Sequence, residues 1–201
     1  MTHEANVFFI IACAFVGYLF GNFQTAVVIS RRFFREDVRR HGSGNAGTSN
    51  MIRVFGIVPG LFTFAGDFLK GVLAVAIGRA IMGRDGGFIA GAFVVIGHCW
   101  PVFFRFKGGK GVATSLAVIF MNYPLAGLIG FIIGLIVFFL TRKFSLMSLV
   151  GTTLTLVMTV LFKSYDTRLL ILIVFLAVLI FLRHRENIGR LIRGEEKKFE
   201  R

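Results

Sequence analysis

Three stretches of the chain hold residues suited to a phosphate group. The first is Gly108-Gly109-Lys110-Gly111, with Lys107 just ahead of it. Three glycines in four positions let the backbone turn sharply and aim its N–H groups at one point. A helix-like apolar run starts at Val112, so the positive end of a helix would face the same point, and Lys107 and Lys110 add full charges. The second stretch runs from His41 to Arg53 and crowds Ser43, Asn45, Thr48, Ser49 and Asn50 among Gly42, Gly44 and Gly47. One Ser or Asn there would cap a helix. So many hydroxyls and amides, closed by the guanidinium fork of Arg53, suit the oxygens of a phosphate or a glycerol. The third is the tail, where His184 and Asn187 are three apart and would share one face of a helix. Histidine is the side chain best placed to move a proton at neutral pH. Ser145 and Ser148 follow Arg142-Lys143, where their hydroxyls serve either a helix cap or the same site. The plainer readings are a basic loop that obeys membrane topology and an amphipathic tail lying on anionic lipid.

Other chemistries fit less well. Asp and Glu total only 10. Metal-dependent headgroup transfer needs several carboxylates at helical spacing, and Asp37, Asp67, Asp85 and Asp166 are scattered. There is no G-x-S-x-G elbow, and no glycine five residues ahead of Gly109, so an ATP-type phosphate loop is absent as well. The expectation is a site without metal or cofactor for one or two phosphate groups, open to lipid.

The elements that must position these residues are apolar. The chain of 201 residues is 56% hydrophobic, with 25 Phe and 16% charged residues. That composition describes an integral membrane protein, and residues 1–201 are read as one membrane-embedded domain. The net charge of +13 does not point to nucleic acid, because the basic residues sit in short loops between apolar runs, where anionic lipid and membrane orientation explain them. Cys13 and Cys99 both lie in apolar runs and read as packing residues. Val7 to Ile29 is about 34 Å long as a helix, enough to cross a bilayer, and its start lacks the basic flank of a signal peptide, so it is expected to be a retained span. Val54 to Ala80 is a second span and carries Asp67 and Lys70, a pair that must face protein or water. Phe88 to Phe104, Val112 to Met121, Leu125 to Leu140, Leu146 to Phe162 and Leu169 to Leu182 complete seven. Treating Asn122-Tyr123-Pro124 as a turn is what fixes the later orientation. It places 18 of the 23 basic residues on one side, leaving Lys70 in a span and Arg79, Arg84, Lys163 and Arg168 for the other. The predicted architecture is therefore all-α with seven transmembrane helices, N-terminus outside and C-terminus cytoplasmic.

The three stretches together resemble a known family, the bacterial acyl-phosphate–glycerol-3-phosphate acyltransferases (the PlsY family). Gly42 to Asn50 with Arg53 is similar to its first motif. Gly97-His98, Pro101 and Phe106 to Thr114 are similar to its second, and His184, Asn187, Ile188, Arg190-Leu191, Gly194 and Glu196 to its third. Thr48-Ser49 departs from a more usual Ala-Thr but keeps the hydroxyl before Asn50. The resemblance implies a monomeric, multi-pass enzyme of the bacterial inner membrane with its site facing the cytoplasm. It would move a fatty acyl group from acyl phosphate to the 1-hydroxyl of glycerol 3-phosphate, giving lysophosphatidic acid and phosphate for phospholipid biosynthesis. It also implies a functional link to the enzyme that makes acyl phosphate. His184, Asn187, Ser43 and Arg53 would be catalytic. Asn45, Asn50, Lys107, Gly108, Gly109, Lys110, Gly111, Ser145, His98 and Glu196 would bind substrate. Either His184 or a substrate phosphate oxygen would accept the hydroxyl proton. The competing reading is a membrane transporter or binding protein for phosphorylated solutes, although the chain lacks the internal symmetry common in such proteins.

Overall fold

The computed structural model describes residues 3–163 and 165–199. Met1, Thr2 and Arg201, the last of them one of the 18 basic residues counted above, lie outside the described residues. Every regular element among the described residues is helical. Two compact units divide the chain, Met1–Val118 and Ile119–Arg201.

In the first unit, α1 (His3–Asn22) and α2 (Thr25–Phe34) are separated by Phe23 and Gln24. The sequence predicted one span from Val7 to Ile29, interrupted by Gly17, Gly21 and Asn22 as packing residues; the helix breaks after Asn22 at a cluster of polar groups, where Asn22, Gln24 and Thr25 are all buried and all bonded. A short 3₁₀ turn (Val38–Arg40) leads to α3 (Thr48–Phe55). Gly56, at φ 95°, separates it from α4 (Ile57–Cys99). Met82 and Gly83 are non-helical and divide α4 into arms 57–81 and 84–99, near the expected far-side turn. The second arm stops at Cys99, short of the expected Phe104, since the residue before Pro101 is driven out of the helical region.

Helix α1 packs on α4, and small residues set how closely. A Cβ on Gly17 would strike the Ala90 carbonyl oxygen; one on Gly21 would strike the Val94 oxygen; one on Gly97 would strike the Tyr18 oxygen. Lipid tails give no hydrophobic drive between helices, so this backbone-to-backbone approach supplies the packing. Cys13 and Cys99 are both buried in this unit, and neither is in a disulfide.

Helix α5 (Val112–Asn122) starts at the residue the apolar pattern indicates, and the chain reverses at Tyr123. The reversal is direct: a Cβ on Gly127 would lie 3.4 Å from the Phe120 Cα, an approach that one continuous helix forbids. In the second unit, α6 (Pro124–Thr141) and α7 (Phe144–Lys163) form a hairpin closed by Arg142 at φ 58°. They come into backbone contact at Gly130 and Gly151, where a Cβ on either would crowd the other's carbonyl oxygen. Helix α8 (Thr167–Arg183) is capped by Asp166, whose carboxylate accepts from the Leu169 N–H at 3.1 Å, and packs on α7. His184 then joins α8 to α9 (Arg185–Ile192) with a bend of 62°.

Among the described residues, four stretches are long and apolar enough to cross a bilayer: Asn6–Phe34, Ile57–Phe104, Pro124–Thr141 and Phe144–Lys163. The bent pair α8–α9 makes a fifth if taken as one span. Phe8, Phe15 and Phe62 in the first unit, and Leu140 and Leu161 in the second, are exposed apolar side chains suited to lipid and not to water. The packing analysis has a direct check. Gly17→Val pushes a branched side chain into the α4 backbone and is expected to cost about 1–3 kcal/mol, seen as a lower thermal midpoint in detergent. Phe8→Ala, on the exposed face, is expected to leave the midpoint unchanged.

Candidate active site

The first predicted loop is organised by one amide. Asn50 is fully buried, and its Nδ2 donates to the carbonyls of Val38 (3.1 Å), His41 (3.1 Å) and Asn45 (3.0 Å). Its Oδ1 accepts the Ser43 N–H at 2.8 Å. Gly42 and Gly44 hold positive φ, and a Cβ on Gly42 would strike that same Oδ1. The Asn50 carboxamide, expected at the substrate, is thus committed to the shape of the loop. That shape leaves Ser43 exposed, Asn45 half-buried, and Arg53 exposed on α3.

The second loop is pressed on the end of α4. The Gly109 N–H donates to the His98 carbonyl at 3.1 Å, and a Cβ on Gly108 would strike that oxygen. This corrects the expectation that the loop's N–H groups all face a ligand, because the Gly109 N–H is spent on the helix end. A Cβ on Gly109 would strike His98 Nε2 and lie 2.9 Å from the Ala46 oxygen, so the two predicted loops meet at Ala46 and Gly109. Gly111, at φ 83°, turns the chain into α5. Lys107 is exposed and Lys110 half-buried. Among the described residues, the side chains of Ser43, Arg53 and Lys107 form no hydrogen bond or ion pair with the protein.

Beneath the loops lies a buried polar chain. Lys70 and Asp67, with side chains 4% and 2% exposed, pair at 2.8 Å. Lys70 Nζ also lies 2.6 Å from the Phe23 oxygen and 2.7 Å from His98 Nδ1. Thr25 donates to Asp67 Oδ1 at 3.0 Å, and Gln24 Nε2 donates to the Gly21 and His98 carbonyls. The charged pair therefore sits where α1 ends, α2 begins and α4 reaches the glycine loop.

Arg39 is a positioning residue that the sequence did not single out among five nearby arginines. Its Nη1 donates to the carbonyls of Phe104 (3.0 Å) and Lys107 (3.3 Å), while Nε and Nη2 grip Asp37. The Arg39 hydrogen bonds outweigh the burial of Asp37 and hold its carboxyl well below the usual range. Gln24 and Thr25 were missed too; their signal was the presence of amide and hydroxyl groups inside an apolar run.

The second unit holds the remaining candidates. Ser145 Oγ and Asn187 Nδ2 each donate to Glu196 Oε1 at 2.6 Å, and Arg190 Nε donates to Oε2 at 2.8 Å. A carboxylate repels phosphate, so Glu196, expected to contact substrate, serves instead to hold Ser145, Asn187 and the tail. His184 is buried at the α8–α9 junction, outside either helix, with Nδ1 2.8 Å from the Ile180 oxygen. A carbonyl only accepts, so Nδ1 carries a proton in this bond.

Burial opposes the charged form of Glu196, but the bonds from Ser145, Asn187 and Arg190 prevail and hold its carboxyl below the ordinary value. A carboxyl lowered in this way adds stability that is present above its unfolded value and is lost as pH falls through the folded one. The tail is expected to release on acidification below about pH 4. Amide exchange at Phe199, whose N–H donates to the Arg142 oxygen at 2.7 Å, reports the release. Glu196→Gln should leave the protection of that amide, taken relative to an unstructured amide at the same pH, low and unchanged over the same range.

The arrangement matches known proteins along nearly its whole length. The family model described as glycerol-3-phosphate acyltransferase covers residues 11–194. The glycerol-3-phosphate acyltransferase of Thermoanaerobacter pseudethanolicus is 43% identical over 185 residues, 92% of this chain and 93% of that protein. That of Finegoldia magna is 38% identical over 193 residues, 96% of this chain and 98% of that one. Among solved structures, the glycerol 3-phosphate form of PlsY (YgiH), an integral membrane glycerol 3-phosphate acyltransferase, superimposes with a TM-score of 0.89 at 36% identity, covering 95% of this chain and 96% of that one. Its lysophosphatidic acid form gives 0.86 at 35% identity, covering 95% of each. With both motif loops joined at Ala46 and Gly109 and the likeness running from end to end, the chain belongs to the glycerol-3-phosphate acyltransferase family.

Proposed function

We propose that the chain transfers a fatty acyl group from acyl phosphate to the 1-hydroxyl of glycerol 3-phosphate, releasing lysophosphatidic acid and phosphate. The observation that carries this reading is the joined pair of loops. They present Ser43, Arg53 and Lys107, groups that bond anions and have no protein partner among the described residues. The related PlsY structures, in glycerol 3-phosphate and lysophosphatidic acid forms, support the acceptor and the product.

Acyl phosphate is a mixed anhydride. The glycerol oxygen forms an ester bond to the acyl carbon, the bond from that carbon to the phosphate oxygen breaks, and phosphate leaves with the electron pair. The hydroxyl proton passes to His184 Nε2 or to a phosphate oxygen. No covalent enzyme intermediate is needed, so the work is to position two anions and neutralise their charge. Ser43, Asn45, Arg53 and Lys107 would contact phosphate, on a cradle shaped by Gly108, Gly109 and Gly111 with Lys110 beside it. Asn50 acts by holding the Ser43 loop. Ser145 and Asn187, steadied by Glu196, serve the acyl-phosphate head and the attacking hydroxyl.

Counting the two arms of α4 separately, together with the α1–α2 stretch and α5 to α8, gives seven membrane segments. The distribution of basic residues then favours an outside N-terminus and a cytoplasmic C-terminus in a bacterial inner membrane, with residues 1–201 acting as one enzyme.

The test is turnover by the purified protein with palmitoyl phosphate and glycerol 3-phosphate, following released phosphate and lysophosphatidic acid. Both products should appear, and palmitoyl-CoA in place of palmitoyl phosphate should give neither. Binding or transport of glycerol 3-phosphate without phosphate release would overturn the reading, and product from the thioester would overturn the donor. Arg53→Ala and Lys107→Ala should each lower kcat/KM by about 100-fold, in the range of losing one charged transition-state contact, while the thermal midpoint holds.

A further inference from the structure

The reaction just described leaves Asp67 and Lys70 without a task, yet burying a charge pair in an apolar helix bundle is costly. Its contacts give it one. An ammonium has three protons, and the three nearest acceptors of Lys70 Nζ are the Asp67 carboxylate at 2.8 Å, the Phe23 carbonyl at 2.6 Å and His98 Nδ1 at 2.7 Å, with the Gly21 carbonyl a longer fourth at 3.5 Å. Asp67 Oδ1 itself is 3.6 Å from His98 Nδ1, too far for a hydrogen bond. A proton on Nδ1 would point into an ammonium proton.

We infer that Lys70, kept charged by Asp67, donates to His98 Nδ1 and fixes the ring as the neutral tautomer protonated at Nε2, thereby positioning the glycine loop. The Nε2 edge backs Gly109 so closely that a Cβ there would strike it. The His98 carbonyl takes the Gly109 N–H, and the Ala46 oxygen lies on the same glycine. His98 is thus a positioning residue for both loops, and Asp67 and Lys70 position it in turn. The expected effect on turnover rests on the glycine loop being the glycerol 3-phosphate cradle; the tautomer does not.

The experiment uses the full chain in detergent micelles with ¹⁵N-labelled histidine at near-neutral pH, His98 being assigned by comparison with His98→Gln. The wild-type ring should show a protonated Nε2 and a bare Nδ1. Lys70→Met should shift the ring towards the Nδ1-protonated form. It should also raise KM for glycerol 3-phosphate about tenfold with kcat held within about twofold, the scale of one lost positioning contact. A wild-type ring protonated at Nδ1, alone or as imidazolium, overturns the inference, as does a Lys70→Met protein with wild-type tautomer and KM. If Lys70→Met does not fold, the wild-type spectrum and Asp67→Asn decide by the same criteria. If the wild-type protein shows no acyl transfer at all, the functional proposal fails while the spectrum still judges the tautomer.

Discussion

A lysine ammonium enclosed by apolar helices has to be met by acceptors, since each unmet proton would cost several kcal/mol. Lys70 meets this constraint by drawing three segments to itself. The α1 helix ends so that the Phe23 carbonyl is open to Nζ; α2 begins with Thr25 bonded to Asp67; the second arm of α4 brings His98 to the same nitrogen. A continuous α1–α2 helix would bury its carbonyls in its own ladder and deprive the Lys70 ammonium of the Phe23 carbonyl. The break that the apolar pattern alone would not place is thus required by a charge in another helix.

From that junction the two motif loops follow in sequence. The α4 helix stops before Pro101, its His98 carbonyl receives Gln24 and Gly109, and the glycine loop is seated on the helix end. Arg39 reaches across to hold the Phe104 and Lys107 carbonyls, so the basic segment after α2 is tied to the chain that enters the glycine loop. Asn50 does the same inside its own loop, joining four backbone groups through one amide. Neutral or paired groups are used for shape, while Arg53 and Lys107 keep their charge for the solvent side.

Much of this was legible in the residues. Apolar runs of spanning length gave the helices, and the balance of basic residues gave the reversal at Tyr123, which Gly127 against Phe120 bears out. The start of α5 at Val112 and the meeting of the first two motif loops were also foreseen. What escaped depends on partners distant in sequence. The break after Asn22 needs Lys70, 47 residues beyond Phe23. Arg39 differs from its neighbouring arginines only by two carbonyls more than sixty residues away. Asn50 and Glu196 were read as substrate contacts because they stand in motifs. Their capacity for hydrogen bonds is instead taken up by backbone in one case and by Ser145, Asn187 and Arg190 in the other, which no spacing rule reveals.

Glycine-rich loops are usually credited with mobility, but Gly108 and Gly109 are pinned between the end of α4 and Ala46, with no room for even a methyl group. Their large conformational entropy is therefore surrendered when the protein folds and not when a ligand arrives. An anion settling against Lys107 would meet a surface already in place, and little of its binding energy would be consumed in ordering the backbone.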